Sequence, residues 1–264
     1  MNVRRDRHHA LILLAPAMLV VGITTLYPLG FSFWTSFHDW RLIKSIRPGP
    51  FIGFENYITL FTDDPIFWTV IKVTLRFVVL DVIITILAAL GLAMLLMRAG
   101  FARTVLRTVM VLPFAVSPAL IGISWRFMFN PEFGAFHHSI GTLLPFMAQA
   151  DWFGSAGLAT TALISADLWH WAPYFAFMLM GGLASVPAET QEAARIDGAS
   201  DLRVFLLITL PQMAPVITVA VILKTVFALK VFDTIVTMTG GGPGLETNTL
   251  AFFAYNMGDR KSVV

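Results

Sequence analysis

The residue types that usually carry catalysis are scarce in this sequence. Its 264 residues include no cysteine, which excludes thiol nucleophiles, disulfides, iron–sulfur clusters and Cys-based zinc sites. Two pairs of adjacent histidines, His8 with His9 and His137 with His138, come nearest to a set of metal ligands. Neighbouring side chains on a helix point apart, and neither pair has the His-x-x-x-His or Glu-x-x-His spacing of a metal site. A Gly-x-Ser-x-Gly nucleophile turn is also missing, so the sequence predicts no metal site and no enzyme.

The remaining candidates are polar and aromatic residues inside apolar segments, where an ionisable side chain is costly and usually faces a cavity or another chain. Near its centre, the segment at residues 157–183 carries Asp167, Trp169, His170, Trp171, Pro173 and Tyr174. Aromatic faces can bind the C–H surfaces of a sugar while polar side chains bind its hydroxyl groups, so this cluster suits a neutral polyhydroxyl ligand. The alternative is that the rings simply pack against neighbouring helices, and both interpretations stay open.

Two other apolar segments carry ionisable residues. Phe227, Lys230 and Asp233 lie near one another in the segment at residues 213–239. Lys230 and Asp233 are three residues apart, so on a helix they share one face and could form an ion pair. Asp81 is the only acidic residue of residues 69–97, and we expect it to face the membrane interface or a partner chain rather than a ligand.

The composition predicts the elements that must position these residues. Hydrophobic residues make up 57% of the chain and charged residues 13%, which is too little polar material to coat a soluble globule. The basic residues are scattered singly, so nucleic acid is not an expected partner. A helix needs about 20 mostly apolar residues to cross a bilayer. Five segments qualify: Ala10 to Phe37, Thr69 to Met97, Thr108 to Phe129, Gly157 to Leu183 and Met213 to Thr239. We predict an all-α, multi-pass membrane protein, with residues 1–264 forming one transmembrane domain.

The distribution of basic residues favours a cytoplasmic N-terminus. Arginines precede the first apolar segment, which is longer than the apolar part of a signal peptide and is not closed by an Ala-x-Ala site, so we expect a retained anchor. Alternation along the chain then places most later arginines inside, whereas the loop at residues 130–156 lies outside and has no Lys or Arg. The residues that support this orientation are Arg4, Arg5, Arg7, Arg98, Arg103, Arg107, Arg195 and Arg203, and those against it are Arg41, Lys44 and Arg47.

The polar segment at residues 184–212 is the most specific part of the sequence, and it includes the run ETQEAARIDGASDLRVFLLITLP. Pro187 can open a short helix over Ala188 to Ile196, where good helix formers follow a glutamate near the positive end of the helix dipole. Gly198 then permits a sharp turn of the backbone. The alternation of spans places this segment in the cytoplasm.

A second short helix should follow the turn. Ser200 or Asp201 can cap it, and the apolar run from Val204 to Leu210 leads it back toward the membrane before Pro211 breaks it. The two helices would form an elbow below the bilayer. Such a projection is suited to pushing, or being pushed by, a soluble partner.

This segment resembles the cytoplasmic loop of permease subunits of ATP-binding-cassette (ABC) importers, whose pattern is EAA, three residues, G, nine residues, I, any residue, LP. The fixed positions fall on Glu192, Ala193, Ala194, Gly198, Ile208, Leu210 and Pro211. Chance agreement at seven positions has odds of about 10⁻⁸ at typical residue frequencies. The resemblance implies that these residues, together with Asp197, form a coupling helix that sits in a groove of a separate ATPase subunit.

Other stretches are similar to the carbohydrate branch of these importers, of the MalF/UgpA type. They are residues 13–37, 51–61, 112–134 and 232–250, and their order around the EAA loop matches that branch. In some sugar permeases, positions aligned with the fourth and fifth spans line the substrate passage. The resemblance therefore implies substrate-path roles for Tyr174, Phe227 and Lys230. Trp171 joins them as a candidate because it belongs to the aromatic cluster described above.

The family also implies the partners and the source of energy. The implied partners are a second permease subunit, two ATPase subunits that supply the energy, an extracytoplasmic sugar-binding protein and the bilayer of a bacterial or archaeal cytoplasmic membrane. The run Gly240 to Gly244 lacks the Lys and the Ser or Thr of a phosphate-binding loop and is expected to form a turn. We therefore expect no cofactor on this chain, with ATP and Mg²⁺ bound by the partner ATPase.

The resemblance implies an alternating-access importer of a di- or oligosaccharide. Glycerol-3-phosphate or another polyol stays open as the substrate, and a channel or secondary transporter is a remote alternative because it gives the EAA elbow no purpose. The family usually has one more span after the TGGGP segment, and the sequence shows no further apolar run after it. We therefore predict five spans here, with the usual last helix missing.

The first predicted external loop includes FIGFENYITLFTDDPIFW at residues 51–68. By resemblance, this face would meet the soluble binding protein that delivers the sugar. A belt of aromatic residues at the lipid interface explains its Phe and Trp nearly as well.

Overall fold

The computed structural model describes the backbone of residues 3–40, 45–98 and 103–263 and the side chains of residues 11–40, 45–97 and 104–258. Within these ranges the regular structure is helical, apart from one isolated antiparallel bridge between His38 and Phe51. The predicted all-α class is confirmed. Several residues used above to infer orientation have side chains outside the described part: Arg4, Arg5, Arg7, Arg41, Lys44, Arg98 and Arg103.

The chain forms two compact units, residues 1–68 with 256–264, and residues 69–255. The helices up to the first long one are α1 (Val3–Val21), α2 (Tyr27–Thr35), α3 (Glu55–Thr62) and α4 (Phe67–Arg98). Those that follow are α5 (Arg103–Ala115), α6 (Pro118–Met128), α7 (Ala135–Leu143), α8 (Ala156–Ser185), α9 (Ala188–Ile196), α10 (Asp201–Val204), α11 (Leu210–Gln212), α12 (Ala214–Leu229), α13 (Asp233–Met238) and α14 (Leu250–Val263).

The first apolar segment forms one long rod. α1 and α2 are joined without a break by a π-helical turn at Gly22–Leu26, and the stretch Leu11–Thr35 is long and apolar enough to cross a membrane. The most apolar part of that stretch has no buried residue. Side chains such as Leu13, which is 80% exposed, are therefore suited to contact lipid or another chain.

The loop after α2 is held in place by its own polar residues. Asn56 Nδ2 donates to the carbonyl oxygens of Ser36 (2.9 Å) and His38 (3.1 Å). The Asp64 carboxylate accepts from the backbone N–H of Ile66 and Phe67, at 2.8 and 3.2 Å, and so caps the start of α4. Two of the polar residues in the predicted binding-protein face thus have structural roles.

Two helices of the second unit are long enough to cross a bilayer unbroken. Over Phe67–Met97, α4 is both long enough and apolar enough to cross a bilayer. α8 has 30 residues, or about 45 Å of helix, but its polar central residues lower its hydropathy. Its bounds enclose the predicted span at residues 157–183. Within the described residues, the two stretches that qualify as spans by length and composition are therefore Leu11–Thr35 and Phe67–Met97, and not α8. The number rises to four if each of two bent helix pairs is counted as one span.

The predicted third span is not one straight helix. α5 and α6 meet at an angle of 101° around residues 116–117. Ser117 is extended, and its side chain accepts from the N–H of Leu120 at 3.4 Å, while Pro118 occupies the first turn of α6. A capping serine followed by proline begins a new helix and cannot continue the old one, because proline has no N–H to donate.

The predicted fifth span is also interrupted. α12 ends at Leu229, Lys230 is its C-terminal cap, and α13 begins at Asp233. The predicted ion pair between Lys230 and Asp233 is wrong: no such pair occurs among the described side chains, because the break at residues 230–232 removes the shared helix face. The short α13 packs closely on α6, where a Cβ added to Gly122 would lie 1.9 Å from Thr237 Oγ1.

Candidate functional site

The elbow forms as the sequence predicts. α9 spans Ala188–Ile196, and Pro187 immediately precedes it in an extended conformation. Gly198 has φ +85°, a value that L-residues rarely adopt. The side chain of Ser200, rather than that of Asp201, caps the second helix by accepting from the N–H of Arg203 at 3.4 Å.

Backbone and ionic contacts hold the two arms of the elbow together. The N–H groups of Gly198 and Ala199 donate to the carbonyls of Arg195 and Ala194, at 3.0 and 2.9 Å, and so close the end of α9. Arg195 Nε lies 3.1 Å from Asp201 Oδ1 in an exposed ion pair across the turn. The turn thus has a defined geometry and is not a loose linker.

The second arm runs further than predicted. After α10 the chain forms a π-helical turn, Phe205–Thr209, followed by α11, so Pro211 lies inside the helical path and the bend of 69° comes after Gln212. Proline lacks an N–H to donate four residues back. A π-turn just before it relaxes the α-helical hydrogen-bonding pattern at that point, which explains why Pro211 does not end the helix.

The predicted coupling residues are mostly exposed. α9 has no buried residue. The exposed members of the set are Glu192, Ala193, Asp197, Gly198 and Pro211, and the half-buried members are Ala194, Ile208 and Leu210. Ile196 at the tip of α9 is 85% exposed. This exposed side chain is available for contact with another protein.

The elbow borders a cleft of about 450 Å³. The ends of α4 and α8 form its other side. Its lining residues are Met94, Met97, Leu183, Gln191, Arg195, Asp201, Leu202, Val204, Phe205 and Thr209. The elbow therefore adjoins the ends of two long helices of the same unit.

Three of the four predicted substrate-path residues come together between α8 and α12. Trp171 stacks on Phe227, with ring centroids 4.4 Å apart and planes 25° apart. Tyr174 lies 5.9 Å from Trp171 and stacks on Phe114 of α5 at 5.5 Å. All three predicted residues are half-buried. The fourth, Lys230, is exposed at the end of α12, and the described ring contacts do not include it.

The neighbouring His170 is a packing residue in this arrangement. It is buried, and its Nδ1 lies 3.0 Å from the carbonyl oxygen of Pro113. The same oxygen accepts from the backbone N–H of Val116 at 3.2 Å, so the imidazole adds a side-chain contact near the end of α5. His170 also contacts Phe114 and Trp171.

Sequence reasoning missed a buried ionic cluster beside these rings. Lys224 of α12 is fully buried, and its Nζ lies 2.5 Å from Asp81 Oδ2 of α4 and also contacts Asp167 Oδ2 of α8. Thr85 Oγ1 donates to Asp81 Oδ1 at 3.5 Å. We call Asp81, Asp167 and Lys224 the ionic cluster.

The ionic cluster corrects the expectation for Asp81. That residue is fully buried rather than facing the membrane interface or a partner chain, because the ammonium group of Lys224 compensates its charge inside the unit. A useful signal was present in the sequence: Lys224 is a lone lysine in the middle of an apolar run, and such a residue needs an acidic partner.

Comparison with known proteins decides the family. The model of the family described as "binding-protein-dependent transport system inner membrane component" matches residues 65–259. This chain belongs to that family. The matched range includes the elbow, the aromatic residues and the ionic cluster.

Two relatives are named as permeases for a sugar and for a sugar derivative. The chain is 35% identical to the trehalose/maltose transport system permease protein MalF of Thermococcus litoralis, over 97% of this chain and 86% of that protein. It is also 35% identical to the sulfoquinovosyl glycerol transport system permease protein SmoG of Agrobacterium fabrum, over 95% of this chain and 80% of that protein. The predicted resemblance to carbohydrate ABC permeases is confirmed.

A solved structure shows the same fold. It is the bacterial alginate ABC transporter in complex with an alginate pentasaccharide-bound periplasmic protein, and the match has a TM-score of 0.78 over 100% of this chain and 89% of that chain. The sequence identity is 20%, so this likeness supports the permease fold alone. The predicted ABC importer permease fold is confirmed.

Proposed function

We propose that this chain is a membrane-spanning subunit of an ATP-driven importer of a di- or oligosaccharide, and that its elbow, α9 with α10, receives the work of ATP hydrolysis from a separate ATPase. The observation that carries the proposal is the rigid, exposed turn at Gly198, with φ +85° and an ion pair across it. A fixed projection with an exposed apolar tip can bind in a groove of a partner protein and transmit the partner's movement.

The connection from the elbow to the aromatic residues supports this mechanism. The second arm continues through the π-helical turn and α11, and α12 begins two residues after α11 ends. α12 carries Phe227, which stacks on Trp171 of α8. A displacement of α9 would therefore move a helix that lines the aromatic cluster, which is what alternating access requires of a coupling element.

The aromatic cluster is the proposed substrate path. Trp171, Tyr174 and Phe227 offer half-buried ring faces, and the hydroxyl group of Tyr174 can hydrogen-bond a sugar hydroxyl. Lys230 is exposed and makes no described contact with the rings, so we place it at the edge of this path rather than within it. The chain would contribute one half of the passage and a second permease subunit the other half.

The remaining partners and the orientation belong to the same proposal. ATP and Mg²⁺ would bind to two ATPase subunits, and an extracytoplasmic binding protein would deliver the sugar. The N-terminus and the elbow would both lie in the cytoplasm. Relatives that are permeases for trehalose/maltose and for sulfoquinovosyl glycerol support a glycoside as the substrate.

Reconstitution in proteoliposomes tests the proposal. The chain, its second permease subunit, the ATPase and the binding protein would be assembled and offered radiolabelled trehalose, maltose, sulfoquinovosyl glycerol and glycerol-3-phosphate. We expect ATP-dependent uptake of a sugar, and none when the ATPase is omitted. Ion conductance or sugar uptake without the ATPase would support a channel or a secondary transporter instead.

Truncating the path residues should weaken uptake without disturbing assembly. In Tyr174→Ala and Phe227→Ala we expect the apparent KM for the sugar to rise about tenfold, because one ring contact of about 1.4 kcal/mol is lost in each. Binding protein-stimulated ATPase activity should still be measurable. Leu229→Ala, at an exposed apolar residue of α12, is the matched control. Loss of the assembled complex in the aromatic variants would instead indicate that the rings only pack the helices together.

A further inference from the structure

We propose that the ionic cluster is a positioning element for the aromatic cluster: the contact between Lys224 and Asp167 fixes how α12 and α8 face each other, and so holds Trp171 against Phe227. The consequence for transport rests on the proposed function, whereas the positioning itself does not. Both Lys224 and Asp167 would be positioning residues, acting on the substrate through the rings.

The burial of the cluster carries the first step. Lys224 and Asp81 are both 0% exposed, and Asp167 is 8% exposed. At so buried a position a charged side chain has few alternatives to its partner, because leaving a buried charge unpaired is costly. The Lys224 ammonium is thus confined to the position between the two carboxylates.

The spacing along the two helices carries the second step. Lys224 and Phe227 are three residues apart on α12, and Asp167 and Trp171 are four residues apart on α8. Each ring therefore lies one helical turn from one member of the ion pair and on the same side of its helix. The ion pair and the ring stack join the same two helices, so fixing one contact limits the freedom of the other.

The surroundings of the rings carry the third step. The ring of Trp171 lies 4.4 Å from that of Phe227, measured between ring centroids. Its other described ring contacts, at 4.7 to 6.4 Å, are with His170, Tyr174, Phe175 and Phe114. Apolar contacts of this kind tolerate a small rotation or sliding of one helix against another. A buried polar contact that has a single geometry is the kind of feature that fixes the register of packed helices.

Asp81 provides an internal control, because it contacts the same ammonium from a different helix. α4 is not part of the ring stack. Removing either carboxylate leaves the other one paired with the Lys224 ammonium, so the net charge of the remaining pair is zero in both cases. Only the removal of Asp167 breaks the link between α8 and α12. A purely stabilising role for the cluster predicts similar effects of the two changes, whereas positioning predicts different ones.

The experiment compares Asp167→Leu with Asp81→Leu in the assembled complex, with 5-fluorotryptophan in place of the seven tryptophans. The ¹⁹F resonance of Trp171 is assigned by its loss in Trp171→Phe. We expect this resonance to shift and broaden in Asp167→Leu and to stay near its original position in Asp81→Leu. Breaking the exposed ion pair of Arg76 and Glu246, 3.5 Å apart, by Glu246→Gln is the matched control and should leave the resonance unchanged.

Uptake kinetics form the second readout, with the sugar that supports uptake in the reconstitution. We expect the apparent KM to rise about tenfold in Asp167→Leu, as after loss of one ring contact, and to change less than about twofold in Asp81→Leu, with kcat preserved in both. Variants that do not assemble would be replaced by Asp167→Asn and Asp81→Asn, which preserve shape. Because the amide oxygen of Asn can still accept from Lys224, we expect a smaller difference in the same direction.

The outcomes separate the two levels of the proposal. Equal effects of the two variants on the Trp171 resonance, or no effect of Asp167→Leu, would overturn the positioning role. If the resonance responds as expected but Trp171→Ala and Phe227→Ala leave uptake unchanged, the positioning role stands and the proposed substrate path fails.

Discussion

Replacing Lys224 with Met should destabilise the second unit by about 3–5 kcal/mol, the usual cost of removing one partner from a buried ion pair. Lys224 is the cation between Asp81 and Asp167, and all three side chains are buried. Methionine matches the length of the lysine stem and fills the same space, so the loss would come from the two carboxylates left without a counter-charge. Thermal unfolding of the purified chain in detergent, followed by fluorescence, measures the effect.

Two controls distinguish buried charge from lost packing. Lys224→Met combined with Asp81→Asn and Asp167→Asn removes every charge of the ionic cluster, and we expect it to recover most of the stability. Arg76→Gln removes an arginine whose side chain is 56% exposed in its ion pair with Glu246, and it should change stability by less than about 1 kcal/mol. A single Lys224→Met variant as stable as the original chain would contradict the compensating role of this lysine.

Replacing Gly198 with Ala should weaken the coupling between the elbow and the ATPase, so that stimulated ATP hydrolysis and transport both fall. Gly198 has φ +85°, and the position that a Cβ would take has no other atom within 4 Å, so an added methyl group meets no neighbour. The cost is therefore one of backbone conformation, about 1–2 kcal/mol for an L-residue in the left-handed region. The elbow can relieve this strain by opening its turn. A turn that opens would no longer transmit a displacement to α12.

We expect stimulated ATPase activity and sugar uptake to fall together by about tenfold in Gly198→Ala, which corresponds to about 1.4 kcal/mol, while membrane insertion stays normal. Gly181→Ala is the matched control, since this glycine of α8 also has open space around a Cβ but no positive φ. Normal coupling in Gly198→Ala, or an equal loss in Gly181→Ala, would contradict the role of the turn.

The elbow was predictable because every device that builds it is local. Proline before the first helix, glycine at the turn and serine before the second helix each act on the backbone within a few residues. The structure places these devices at Pro187, Gly198 and Ser200, as the sequence indicates. Pro211 is the exception, since the π-helical turn before it is a compensation that the local pattern does not reveal.

The bends within the apolar segments were not predicted, because hydropathy averages over a window and does not register a local break. Ser117 and Pro118 carry a recognisable helix-start signal, but that signal is embedded in a long apolar run. The partners within the ionic cluster were not predicted because they lie far apart in the sequence. Asp167 and Lys224 are 57 residues apart, and only the packed helices bring them into contact.

The central claim is that the elbow contacts an ATPase on the cytoplasmic side, and site-specific cross-linking tests it most directly. The chain has no cysteine, so Ile196→Cys, at a position that is 85% exposed, introduces a single unambiguous reporter thiol. We predict that this thiol is labelled by an impermeant maleimide only from the cytoplasmic face. It should also cross-link to the ATPase with a yield that changes when ATP is added. Labelling from the exterior, or no cross-link to the ATPase in an assembled and active transporter, would contradict the account.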